Sequence, residues 1–129
     1  MAVSLVVLPP GGMYRASSPA GLAISAADVA RGYVEVRRAT RLTVTSLGQA
    51  GYLLDVSPTA AVFTEVLVEG VGRQVTLGSN GGTIFERGGI GLSPPLALML
   101  DFRFTLAPGV TPGRYPWPLR FQVRPLASL

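Results

Sequence analysis

The side chains that could do chemistry in this 129-residue chain are few and of few kinds. It has no His and no Cys, and all eleven basic residues are Arg. That composition excludes Ser-His-Asp and Cys-His catalysis, thiolate zinc sites and disulfide frameworks. Without Lys, Schiff-base and lysine-nucleophile mechanisms go too. Carboxylates remain for acid–base work. Glu65 and Glu69 fall on one face of an expected strand, but four residues along a strand span about 13 Å, beyond either glycosidase spacing. They read as a solvated strand face. The glycine clusters at residues 78–82 and 88–91 lack the Lys-Ser/Thr of a phosphate loop and precede no helix-period segment, so they read as turns. Only three Asp are present, far apart, and no EF-hand loop can be assembled from them. The expectation is a non-enzymatic chain with no cofactor and no metal.

The second group that could act is basic. Arg31, Arg37, Arg38 and Arg41 lie within eleven residues, in a chain of net charge +4 and pI near 10.3. Together they form a candidate patch for an anionic ligand: an acidic glycan, lipopolysaccharide or nucleic acid. Tyr33 is the one aromatic residue near them, so a base-stacking platform is not evident and nucleic acid is not the expected partner. Arg on an exposed sheet face also keeps an apolar chain soluble and discourages edge-to-edge pairing.

The elements that must position these groups are strands. Residues 96–106 alternate strictly: Leu96, Leu98, Leu100, Phe102, Phe104 and Leu106 on one face, Asp101, Arg103 and Thr105 on the other. Near the C-terminus Tyr115, Trp117, Leu119, Phe121 and Val123 share a face. Pro116 and Pro118 remove amide donors from one edge there, which places that half at a sheet edge or beside a break in the ladder. Trp117 could stack on a ligand, but its phase assigns it to the core with Phe102, Phe104, Leu119 and Phe121. Shorter strands are expected over residues 33–38, 41–46, 52–57 and 62–69. Residues 73–77 and 83–87 flank Asn80-Gly81 as a hairpin. Residues 25–31 read as one short helix capped by Ser25 and closed by Gly32.

At 48% apolar residues and low net charge the chain is not disordered, and no apolar run approaches the ~18 residues of a membrane span. With 16 Gly and 11 Pro punctuating it, the expectation is a single all-β domain over residues 1–129: an antiparallel, immunoglobulin-like β-sandwich of about 8–10 short strands. A small barrel is the alternative.

Residues 3–8 are apolar on both faces and stop at Pro9-Pro10-Gly11-Gly12. A strand of that kind must be covered on both sides or find another molecule. It is either a strand of its own sheet or, within residues 1–12, a donor segment that completes a neighbour's sheet. In the second case Val3, Leu5 and Val7 are the strand-exchange residues. No basic residue precedes this run and it is short, so it does not read as a secretory signal.

The run from Leu96 to Leu106, then Ala107-Pro108-Gly109, then Pro112-Gly113-Arg114-Tyr115 leading into alternation up to Val123, resembles the end of exported bacterial pilin-type sandwiches. The nearest likeness is to chaperone–usher subunits that include the spore-coat-protein-U group. The resemblance implies an incomplete immunoglobulin-like sandwich, filled by the N-terminal extension of another subunit. It implies a structural or assembly role at the periplasm or cell surface, with self-association or other subunits as partners and a signal peptide absent from this chain. Two further readings fit the same residues: a sandwich that binds acidic or carbohydrate ligands, and a structural protein of a virus particle.

Overall fold

The computed structural model describes residues 5–7, 14–44, 51–87 and 96–128. In chain order the elements are β1 (Leu5–Val7), β2 (Tyr14–Ser17), β3 (Gly21–Ile24), α1 (Ala26–Arg31), β4 (Tyr33–Val44), β5 (Gly51–Pro58), β6 (Phe63–Glu69), β7 (Val75–Gly78), β8 (Gly82–Arg87), β9 (Leu96–Leu106), β10 (Gly113–Pro116) and β11 (Leu119–Ser128). The protein is all-β, and every strand pairing among the described residues is antiparallel. A five-stranded sheet runs β2-β4-β9-β6-β7, a three-stranded sheet runs β1-β11-β5, and β3 pairs with β10. Among the described residues no helix is long and apolar enough to cross a membrane. The turn signals at residues 9–12, 48–50 and 88–95 lie outside the described residues, as does Val3.

Period-two alternation produces the layering. Leu100, Phe102 and Phe104 on β9 are buried beside Leu42 and Val44 of β4 and Val66 and Val68 of β6. Tyr52, Leu54 and Val56 on β5 are buried with Leu119, Phe121 and Val123 on β11. The two apolar faces meet through rings: Phe102 lies 5.7 Å from Phe121 and 5.6 Å from Trp117, and Phe104 lies 5.6 Å from Trp117, while Phe63 of the same sheet packs beside Phe104 at 5.4 Å. Edge and offset contacts of this kind add to the area that burial removes from water. Trp117 is therefore a core residue, 9% exposed.

Two local expectations change and a third, the proline break, is met. Residues 33–38 and 41–44, read within separate strands, belong to one strand, Tyr33–Val44, which carries a bulge. Residues 45–46 of the second expected strand lie outside the described residues. Val36 stands opposite Phe102, and the next pair is Thr40 with Leu100, so β4 spends four residues where β9 spends two. Because the excess is an even number, Val34, Thr40, Leu42 and Val44 all stay on the buried face. The last strand is broken at Trp117-Pro118, as the prolines demanded: β10 pairs with β3, and β11 starts afresh on β5. Thr59 spans the break, its N–H donating to the Pro118 carbonyl and its hydroxyl to that of Trp117.

The expected hairpin is replaced by a crossing between layers. Gly78 and Gly81 form the tight turn, but β7 pairs with β6 while β8 lies against β5 in the opposite layer. Gly81 has φ +75° and sits so close to the Val56 carbonyl that a Cβ there would be 2.1 Å from its oxygen. Only glycine fits. The short helix forms for the reason its residues indicate: Ser25 and Asp28 close a reciprocal capping box, and Gly32, at φ +88°, ends it.

Truncating Phe104 to Ala removes a fully buried ring that touches both Phe63 and Trp117. The expected loss is about 3–5 kcal/mol, read from urea denaturation midpoints at constant slope.

Candidate functional site

Two regions collect the residues with a function to consider. The first is the edge of the three-stranded sheet. Leu5, Val6 and Val7 stand opposite Ser128, Ala127 and Leu126, so β1 pairs in cis with the last residues of β11. β5 covers the other edge of β11, from Leu119 to Leu126. Among the described strands, residues 119–125 of β11 are thus bonded on one side only. The side chains of Leu119, Phe121 and Val123 are buried inward, but a row of backbone groups is presented to an added strand.

A polar clamp holds this acceptor strand on its outer surface. Arg124 of β11 donates through Nη2 to Asp55 Oδ1 at 2.8 Å and through Nε to Oδ2, a two-pronged contact. Thr83 of β8 donates to the same carboxylate at 2.7 Å, so one Asp ties three strands together. Burial pushes the Asp55 carboxyl up, but the hydrogen bonds from Arg124 and Thr83, with the Arg124 charge, outweigh it and hold it below 3.8.

The second region is the outer face of the five-stranded sheet. Here β4 turns out Glu35, Arg37 and Arg41, β9 turns out Asp101 and Arg103, and β6 turns out Glu65 and Glu69. A shallow depression of about 100 Å³ lies on this face, lined by Glu35, Arg37, Glu69, Asp101 and Arg103 with Phe102 beneath. Its three carboxylates do not converge: among the described residues no group of three or more His, Cys, Asp or Glu could hold a metal ion.

The four arginines of the expected patch are placed differently from one another. Arg31, at the end of α1, bonds Asp28 and stacks its guanidinium 4.9 Å from the Tyr33 ring centre. Arg103 covers the same ring at 4.7 Å and bonds Glu35 at 2.6 Å. Arg37 is 82% exposed and only 3.9 Å from Glu35, a weak surface pair. Arg38 occupies the bulge at φ +53°, a conformation L side chains avoid, and its N–H donates to Asp101 Oδ1 at 2.5 Å. Arg41 lies exposed one bonded row away, opposite Met99.

Sequence reasoning missed Arg15, which stands opposite Thr43 and adds a charge diagonal to Arg41 on the same face. The signal was weak, because β2 has only four residues and little alternation. It also missed Arg103 as a member, although its outward phase was plain. Arg31, by contrast, is engaged with Asp28 and Tyr33 rather than presented with the others.

No family model, no curated protein and no solved structure matches this chain.

Asp55 sets an acid limb. Its folded value is depressed, so its contribution is complete above the unfolded carboxylate value near ~3.9 and is lost as pH falls through the folded value. Asp55→Asn is expected to cost about 1–2 kcal/mol at pH 7. Urea titrations repeated at decreasing pH should show the gap to the parent protein closing below pH 4.

Proposed function

We propose that this protein is a non-enzymatic structural or assembly subunit, exported to the periplasm or cell surface, whose copies join by exchanging a β-strand. One observation carries the reading: β1 is held by three residue pairs at the tip of β11, while residues 119–125 of that strand have a free edge among the described strands. A three-residue strand contributes little stability by itself. Backbone hydrogen bonds along β11 would give affinity, and alternate side chains would give register. The sequence likeness to pilin-type sandwiches supports the same role. Donation of β1 that is not returned is head-to-tail and builds open chains, whereas reciprocal exchange closes a pair.

A second reading has its own support. Arg15, Arg38 and Arg41 have exposed side chains for which the structure gives no carboxylate partner among the described residues. An acidic glycan or lipopolysaccharide headgroup would find there Arg15 and Arg41 on one sheet face and the exposed Arg38 of the bulge beside them. Binding of that kind weakens as salt rises, and a salt-independent affinity would exclude it.

Deletion of residues 2–8 tests the first reading. Light scattering should show open-ended assemblies of the full chain that shorten on deletion, with a lowered thermal midpoint. A synthetic peptide of residues 2–8, added back, should raise that midpoint. A truncated protein of unchanged mass distribution and unchanged midpoint would overturn strand exchange.

A further inference from the structure

The outer face of the five-stranded sheet is charged at both ends, with opposite signs. On the β2–β4 side stand Arg15, Arg37, Arg38 and Arg41, opposed there by Glu35 alone. On β6, two strand spacings or about 10 Å away, stand Glu65 and Glu69 with no cation of their own strand. Between them β9 is neutral, carrying Asp101 and Arg103. Half-buried Met99 and Leu67 interrupt the polar rows on β9 and β6. Sign therefore reverses across the sheet about β9.

A surface of that pattern complements itself. A twofold rotation about an axis parallel to β9, lying just above the face, lays β4 of one copy over β6 of the other. Residues stay at the same height along the strands under that operation. Arg37 and Arg38 flank the row of Asp101, and Glu69 is Asp101's bonded neighbour on β6. The operation thus brings the bulge arginines of each copy against Glu69 of the other, twice by symmetry. A twofold axis across the strands would instead set β4 on β4 and repel. We infer that two copies of this chain pair face to face through this sheet, the bulge of β4 seated on β6 of the partner.

The dimensions fit. The strands lie about 4.8 Å apart; β4 and β9 have 12 and 11 residues, β6 has 7, and β2 and β7 have 4 each. At about 3.3 Å per residue they present roughly 600 Å² per copy, the lower end of specific interfaces. The bulge gives the pairing its geometry. By inserting two residues it lifts Arg37 and Arg38 out of the regular ladder, and Asp101 fixes the lifted backbone through the Arg38 N–H. This interface uses no residue of β1, so substitutions on β4 and β6 test it separately from strand exchange.

The test uses the full chain. Sedimentation equilibrium at low salt should give a closed species of twice 13.5 kDa in the dilute limit of any longer assembly, dissociating as salt is raised. Glu69→Arg and Arg37→Glu are each expected to weaken that pairing at least tenfold, with unchanged circular dichroism. The double charge swap, Arg37→Glu with Glu69→Arg, should restore it, because the complementarity is rebuilt across the axis. Open chains that survive both single variants would mean strand exchange alone, and would overturn the face-to-face pair. So would a monomer at every concentration, or a monomer that gains mass only when an acidic polysaccharide such as heparin is added. Failure of the deletion of residues 2–8 to alter assembly leaves this outcome untouched, so the two ideas fall separately.

Discussion

The contact between aromatic rings from opposite sheets is the interaction on which the remainder of the molecule depends. Phe102 and Phe104 come from the middle of β9, Trp117 from the break before β11, and Phe121 from β11 itself. Their centroids lie within 5.4–5.8 Å of a neighbour, so none can move without opening a void against another. Close-packed interiors penalise such voids steeply. Because the rings fix the distance and rotation of the two layers, they also fix which backbone edges remain open and which charges share a face. The indole N–H of Trp117 is buried without a hydrogen-bond partner, a desolvation cost that the ring contacts must outweigh.

Everything that alternation controls was readable from the residues. The strand at residues 96–106, the inward phases of Tyr52, Leu54 and Val56, the core role of Trp117 and the small capped helix all follow from period, capping chemistry or proline placement. Local chemistry was enough in each case. The misread elements are those whose conformation depends on partners far along the chain. The bulge in β4 cannot be inferred from Arg37-Arg38-Ala39, since nothing in those types forbids a turn; it is Asp101, 63 residues away, that bonds the Arg38 N–H and lets the strand continue. Asn80-Gly81 reads as a hairpin because it makes a tight turn, and it does. Which sheet each arm joins is decided by the close approach of Gly81 to Val56, a tertiary fact.

The candidate surfaces divide in the same way. The arginines of the basic patch could be named from their clustering in sequence, but their separate fates could not. Capture of Arg31 by Asp28 and Tyr33 is local to the end of α1, whereas the addition of Arg15 and Arg103 from other strands required the sheet order β2-β4-β9. The carboxylates on β6 counted as ordinary solvated residues when viewed along their own strand. Only side-by-side placement turns them into the counterpart of the β4 cations. Likewise, the apolar character of residues 3–8 raised the choice between own sheet and neighbour's sheet. The structure adds the geometry in which that choice is made, a short strand at the tip of an edge that no other described strand covers.

The pairing of Leu5 with Ser128 sets the first residue of β1 beside the last of β11 at one end of the same sheet. A pull applied at those two points loads the β1–β11 ladder like a zip, one hydrogen bond at a time, and not in shear, where all would resist together. The first element to leave under tension is therefore β1, while the ring-packed interior stays intact. Mechanical load across Leu5 and Ser128 would in this way act as a release catch, uncovering the tip of β11 without unfolding the domain.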